Sequence, residues 1–382
     1  MRIVLIGPEP PWPGGVAAHT AGLGRALTAA GHETTTLSYS RCYPDAMMRW
    51  LGRTEEKVLP KNAVIDCLRP ASWPRAKARL DRFAPDVVVA QWWHPMAAPA
   101  LSAMLGPEPA SPAASGPARV LVCHNALPHE AFPLARRLTR TVFARADAML
   151  VHSRAVANRV EELGAPLVVP IEIRPMPLLV ETTGRAADRE RARRALGVEA
   201  GHRLALFVGH GRSYKGLDIL LEAWRRARMP ADTRLLVAGE VLAGPIARAR
   251  LLRRARACSA DLRDGYLADE ELVGSVAAAD LLVLPYRRAS QSGLVPVARA
   301  LGVRVLASDA GGLAEQFPDD LAGATLVRPG DTRALAGQLR RLLGRESLER
   351  PAPQGMTDGG WPALVEALEL LERRIRKARG AC

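Results

Sequence analysis

Two cations, Arg212 and Lys215, stand in the glycine-flanked stretch Gly209-His-Gly-Arg-Ser-Tyr-Lys-Gly216. Arginine offers a planar fork of donors and lysine a mobile point charge, the two tools that neutralise a diphosphate. Gly209, Gly211 and Gly216 keep the backbone open around them. Solvated loop cations are the ordinary alternative. A second stretch, Ser290-Gln-Ser-Gly293, is small and polar and lies between the apolar runs 281–284 and 294–301. A strand, a loop and a helix entrance in that order aim unpaired N–H groups and the positive end of a helix dipole at an anion. Gly293 would admit a close approach of the ligand to the backbone. Asp309-Ala-Gly-Gly follows the next strand, 304–307, and adds a glycine-rich loop on the strand-end edge where open α/β sheets bind ligands. Turns favour Ser and Gly in any case. Taken together, the cations and the helix entrance point to a nucleoside diphosphate as a leaving group.

The elements that must position these loops alternate between strand and helix along the whole chain, which predicts parallel, doubly wound sheets. In the first half, strands are expected at 2–6, 33–38, 86–91, 120–123, 148–151 and 167–171. Gly14 and Gly15 open a helix over 16–30 that follows a strand and a proline-rich loop. Their spacing is not the dinucleotide fingerprint GxGxxG. His19 falls one turn into that helix, Trp93 and His94 cap the third of these strands, and His124 and His129 follow the strand 120–123. Residues 39–85 show no clear period and read as loops and helices that shape an acceptor cleft. In the second half, strands are expected at 204–208, 235–238, 281–284, 304–307 and 324–327, with Glu240 just beyond the second. The expected organisation is an N-terminal domain 1–175, a linker 176–200, a C-terminal domain 201–355 and a helix within 356–382 that crosses back to the first domain.

A chain of 382 residues suffices for two domains with separate cores, and its net charge of +14 suits an anionic partner. Nucleic acid is disfavoured, because no RNP, KH or zinc-finger pattern occurs and the arginines are dispersed. Five scattered cysteines without a CxxC pair or a Cys/His cluster argue against structural zinc and for a reduced, cytoplasmic protein. Neither a secretory leader nor a bilayer-spanning run is evident. Peripheral contact with the inner face of the membrane is a separate expectation. It rests on Arg136, Arg137, Arg140 and Arg145 interleaved with Leu134, Leu138, Val142 and Phe143. It requires the apolar stripe of that helix, expected over 132–146, to be exposed.

The ordered motifs FVGHGRSYKGLDILLEA, VAGE, LLVLPYRRASQSG and VLASDAGGLAE resemble the second domain of the family 4 glycosyltransferases, retaining enzymes of the GT-B fold. PPWPGGVAAHTAGLGRALTAAGHE, AQWWHP, VCHNALPHE and VHS resemble the first domain, so the likeness covers nearly the whole chain. The resemblance implies two Rossmann-like domains facing across a cleft, an acceptor bound by the first, a nucleotide-sugar donor bound by the second, and no metal or other cofactor. Carried over residue by residue, Arg212 and Lys215 match the pair that holds the donor diphosphate. Gly15, beside Gly14, matches the glycine-rich loop that faces it, and His124 matches a histidine near the reacting sugar.

The candidate catalytic residues are therefore His124, Arg212 and Lys215. Candidate donor contacts are Gly14, Gly15, Gly209, Glu240, Ser290, Gln291, Ser292 and Gly293, and candidate acceptor contacts are His19, Trp93, His94 and His129. UDP is favoured over GDP in the donor. The acceptor is a hydroxyl on a glycan, a lipid-linked sugar or a small metabolite. One departure stands out. Ala289 and Val297 occupy the places where many members carry a pair of glutamates, as in a subgroup with a QSG loop. Ser292 and backbone N–H groups are expected to substitute. A non-catalytic nucleotide-sugar-binding or scaffold protein derived from the same fold is the competing reading.

Overall fold

The computed structural model describes residues 1–50, 58–108, 116–163, 169–317, 323–344, 350–354 and 360–380. Its contacts divide the chain into two units. One comprises Met1–Asp45, Glu55–Leu179 and Asp358–Cys382, the other Ala46–Thr54 and Val180–Thr357.

The first unit is built on seven parallel strands: β1 (Arg2–Ile6), β2 (Glu33–Arg41), β3 (Ala63–Asp66), β4 (Val87–Trp92), β5 (Ala118–Cys123), β6 (Ala148–Val151) and β7 (Ile171–Ile173). Their order across the sheet is β3-β2-β1-β4-β5-β6-β7. β4 and β6 are buried over their whole length, as continuous apolar runs must be when helices cover both faces of a sheet. One face is covered by the helices Gly15–Ala29 and Gly360–Gly380. Leu23 and Leu27 of the first and Leu364, Leu368, Leu371 and Ile375 of the second pack on Ile3, Leu5, Val87, Val89, Val120 and Val122. Spacings of three, four and seven residues place those leucines on a single helix face. Each contributes about 1.5–3 kcal/mol by leaving water. Gly22 makes room for Trp361, since a Cβ there would lie 2.2 Å from the indole Cζ2. Arg374 pairs with Glu172 at 2.6 Å and Arg379 with Asp147 at 3.0 Å, which fixes the long helix along the sheet.

The opposite face carries the part of the aperiodic region over 63–83. It contains β3 and the helix Trp73–Phe83, whose Leu80 packs with Leu37, Tyr39 and Ile65. β3 escapes a pattern search because it is a four-residue strand at the sheet edge, with an irregular register against β2. The arginine-rich helix spans Ala135–Phe143 rather than 132–146, and it buries Thr139, Val142 and Phe143 while Arg136, Arg137 and Arg140 are exposed. Its apolar stripe is therefore spent on the core, and of the apolar residues expected at a membrane only Leu134 is largely exposed. Part of the strand expected at 167–171 lies outside the described residues.

The second unit has six parallel strands: β8 (Arg203–Val208), β9 (Thr233–Ala238), β10 (Asp261–Arg263), β11 (Leu281–Leu284), β12 (Arg304–Ser308) and β13 (Ala324–Val327), in the order β10-β9-β8-β11-β12-β13. Helix Leu217–Ala227 lays Leu220, Leu221 and Trp224 against Leu335, Leu339 and Leu343 of helix Thr332–Leu343. Residues 180–200, within the expected linker, are bound into the second unit. Buried Arg193, in the helix Arg189–Ala195, donates to the carbonyls of Ala278 at 3.1 Å and His202 at 2.6 Å and to Asp280 at 3.3 Å. Asp280 also accepts from Arg189 at 2.6 Å and from the Leu204 amide at 2.8 Å, so the segment is riveted to the second unit. Helix Pro245–Ala257 buries only Ala255, which is why no apolar stripe announces it. Among the described residues, no helix is long and apolar enough to cross a membrane.

Strand order fixes where each sheet can bind. The chain runs outward from β1 to β3 and then returns to β4 on the other side of β1; β8, β10 and β11 repeat the pattern. Loops leaving the two central strands of such a sheet diverge and open a crevice at their carboxyl ends.

Candidate functional site

In the second unit the loops flanking that crevice are 209–216, after β8, and 285–293, after β11. Two glycines are forced by their surroundings. Gly239, at φ +120°, would place a Cβ 2.4 Å from the Gly209 carbonyl oxygen, and Gly216, at φ +69°, would place one 2.1 Å from the Pro285 oxygen. The second contact presses the two crevice loops together. Between Gly209 and Gly216 the residues Ser213–Lys215 form a single 3-10 turn, closed by the Lys215 amide donating to the Arg212 carbonyl at 3.0 Å. Lys215 Nζ stands 5.6 Å from the centroid of the Tyr286 ring, within cation–π range. Tyr286 is buried, which pushes its hydroxyl up to about 12, with a hydrogen bond to Ser292 opposing the rise. A neutral phenol thus backs the lysine and ties it to the Ser290–Gly293 loop.

That loop is latched from a third direction. The Ser292 amide donates to Gln316 Oε1 at 2.7 Å, and Gln316 Nε2 donates back to the Ser292 carbonyl at 3.1 Å. The Leu294 amide donates to Ser292 Oγ at 3.3 Å. Of the backbone N–H groups of this loop, that of Ser292 is therefore already engaged by Gln316. Gly293 has ordinary right-handed dihedrals, φ −65° and ψ −11°, so close approach rather than backbone freedom is the property left to it. Ser290, Gln291 and Gly293 are half-buried beside it. Val297 is buried in the core and Ala289 is half-buried. Glu240 lies 3.3 Å from His210 Nε2, at the end of β9 next to the Gly209 loop.

In the first unit the strand ends gather histidines. His19, His124 and His152 meet edge to face or tilted, with ring centroids 4.9, 5.0 and 5.5 Å apart, and Trp361 lies 5.4 Å from His19. His124 Nε2 donates to Gln91 Oε1 at 2.6 Å, and His152 Nδ1 donates to the Arg174 carbonyl at 2.9 Å. Burial, and then mutual repulsion of their charged forms, holds His19 and His124 well below the ordinary imidazole value; for His19 the Gln91 amide works weakly the other way. Burial lowers His152 to about 4, with its bond to the Arg174 carbonyl opposing. All three are neutral at neutral pH. His19, expected to face the ligand, has no exposed surface and makes no hydrogen bond of ordinary geometry. The correction has a steric cause, because the strand ends and Trp361 close over the helix face that carries it.

Trp93 and His94 belong to a different group. Trp93 Nε1 donates to the Tyr43 hydroxyl at 2.9 Å, and the His94 ring stands 5.5 Å from Tyr43 and 4.9 Å from Phe132. His94 also accepts from the Met96 amide at 3.2 Å and so starts the following turn. His129 is half-buried. Gly14, at φ +103°, precedes helix Gly15–Ala29, and both glycines are exposed. Gln91, His152, Tyr286 and Gln316 were not singled out from the sequence. The first three lie at or just after strand C-termini, which is the signal that could have found them; Gln316 has none.

A family model described as Glycosyltransferase Family 4 matches residues 13–174, and one described as Glycosyl transferases group 1 matches residues 202–345. The D-inositol 3-phosphate glycosyltransferase of Xylanimonas cellulosilytica is 30% identical over 258 residues, 63% of this chain and 60% of its own. That of Nocardia farcinica is 33% identical over 228 residues, 57% of this chain and 50% of its own. The chain thus spans only half to three-fifths of the length of these relatives. Sucrose-phosphate synthase from Thermosynechococcus elongatus superposes with a TM-score of 0.71 at 18% identity, covering 99% of both chains. Anabaena Alr3699/HepE, solved in complex with UDP-glucose, superposes with a TM-score of 0.63 at 18% identity over the whole of both chains. The parallel crossover sheets explain why these folds superpose at so low an identity, and the two family models divide the chain between them at the boundary of its two units. The chain belongs to the family 4 glycosyltransferases of the GT-B fold.

Proposed function

We propose that this protein is a retaining, metal-independent hexosyltransferase that moves a sugar from a nucleoside-diphosphate-sugar, UDP favoured over GDP, to a hydroxyl acceptor. The observation that carries the reading is the pair Arg212 and Lys215 on a turn locked against the β11 loop at the crossover of the six-stranded sheet. Solved structures of similar fold that hold UDP and UDP-glucose support the donor class. In the reaction the bond between the anomeric carbon and the diphosphate oxygen breaks, and the acceptor oxygen bonds to that carbon on the same face. The acceptor's proton passes to the departing phosphate oxygen. The side chains need only stabilise charge as it develops on the leaving group, which preorganised cations do at no cost of reorganisation. That requirement is compatible with Ala289 and Val297 in place of carboxylates. His124 is neutral and donates to Gln91, so its part is to orient and hydrogen-bond rather than to act as a charged acid.

Lys215→Ala is expected to lower transfer at least about a hundredfold, the loss that follows removal of one oxyanion-type donor, roughly 2.7–4 kcal/mol. The circular dichroism spectrum should not change. Wild-type turnover in that variant would refute the assignment. A thermal-shift screen of nucleoside diphosphates names the base, and D-inositol 3-phosphate, for which the curated relatives are named, is the first acceptor to offer. Chelator should leave the rate unchanged. The two apolar replacements also favour a second reading, a nucleotide-sugar-binding protein without catalysis. Donor binding with neither hydrolysis nor transfer across a panel of hydroxyl acceptors would select it.

A further inference from the structure

Arg287 is a heavily bonded cation beside the crevice, and nothing above gives it a role. It follows the buried Tyr286, yet its side chain is not directed at solvent alone. Nη1 donates to the Ser213 carbonyl at 2.9 Å and to Asp218 Oδ1 at 2.8 Å, while Nη2 donates to Asp218 Oδ2 at 2.7 Å. Its backbone N–H donates to the Tyr214 carbonyl at 2.7 Å. Ser213 and Tyr214 are the two residues between Arg212 and Lys215, and Asp218 sits in the first turn of the helix that follows. Four hydrogen bonds from one residue of the β11 loop thus end on the turn after β8 and on the start of its helix. The Gly216–Pro285 contact closes the same seam sterically.

We propose that Arg287, held in place by Asp218, is a positioning residue for the donor diphosphate: it fixes the turn that presents Arg212 and Lys215. The proposal rests on the reading of that turn as the diphosphate site. A lone 3-10 turn is a weak scaffold for two cations, because its geometry depends on few internal hydrogen bonds. Two long side chains on a loose turn would have to be ordered each time a ligand bound. The planar fork of an arginine matched to a carboxylate defines a plane as well as a distance, which a lysine cannot do. With both of its terminal nitrogens committed to Asp218 and one also to Ser213, the guanidinium acts through the turn and not as a free phosphate ligand.

The two roles predict opposite signs for one substitution. Were Arg287 a direct phosphate ligand, Asp218→Ala would free it, remove a nearby negative charge and tighten binding of an anion. As a positioning residue, Arg287 loses its anchor in Asp218→Ala, and binding weakens. Titration calorimetry with UDP, and GDP as the second probe, should give Arg287→Ala and Asp218→Ala each about tenfold or more weaker binding than wild type, since misplaced groups forfeit most of their effect. Arg287→Ala should cost much less in a Lys215→Ala background than in wild type, because both act on one contact. Arg287→Lys, which keeps the charge and the fold but not the fork, should also weaken binding. Amide hydrogen exchange over 212–217 should accelerate in Arg287→Ala and Arg287→Lys. Tighter binding by Asp218→Ala, or wild-type affinity in Arg287→Ala or Arg287→Lys, overturns the positioning role alone. Failure of wild type to bind UDP or GDP overturns the donor reading, and this role with it.

Discussion

Taking His19, His124 and His152 out of water penalises their charged forms, and for His19 and His124 the neighbouring imidazoles add to the penalty. His152 titrates at about 4 in the folded chain against about 6.5 unfolded. The unfolded chain therefore binds the proton first as pH falls, and the stability present above pH 6.5 is lost progressively down to pH 4. At pH 5 the loss from His152 alone is about 2 kcal/mol, and His19 and His124 act in the same direction. Urea titrations at pH 7 and pH 5 should show the unfolding midpoint of the first unit falling with pH. His152→Gln, which can still donate to the Arg174 carbonyl, should flatten that slope. An equal fall in the variant would show that His152 is not responsible.

Loops at the crossover of the six-stranded sheet are organised by contacts that leave no room for change. A methyl at Gly216 would meet the Pro285 oxygen at 2.1 Å and would also impose a left-handed alanine. Gly216→Ala should therefore destabilise the second unit by more than the ~1–2 kcal/mol that the conformation alone costs, read as a drop in its unfolding midpoint. The Gln316 latch is milder. Gln316→Leu removes both hydrogen bonds to the Ser292 backbone, so hydrogen exchange should speed up over 290–293 while the global unfolding free energy falls by only ~1–3 kcal/mol. Unchanged exchange there would mean that the latch does not order the loop.

Across the whole molecule the charge is +14. A positive field raises the local concentration of an anionic donor and speeds encounter, and salt removes the effect as the Debye length shrinks from ~30 Å at 0.01 M to ~3 Å at 1 M. kcat/KM for the nucleotide-sugar should fall steeply over that range while kcat changes less. Equal falls in both would place the salt effect on the chemical step instead.

The sequence by itself determined the parts that are local. Apolar runs such as 148–151 and 281–284 are strands with those very bounds, because strands buried on both faces must be continuously apolar. Glycines beside Arg212 and Lys215 marked an open loop after β8, and the ordered motifs identified the family. The tertiary structure decided what depends on strand order and on partners distant in sequence. Only the order β8-β11 brings the Arg212 turn beside the Tyr286–Gly293 loop, and only then does Arg287 meet Asp218, 69 residues away. His19 looked like a ligand residue from its place on a helix, but its fate was set by His124, His152 and Trp361, which approach from other elements. Periodicity reports which face of an element is buried. It carries no record of which polar groups will meet once the sheets are wound.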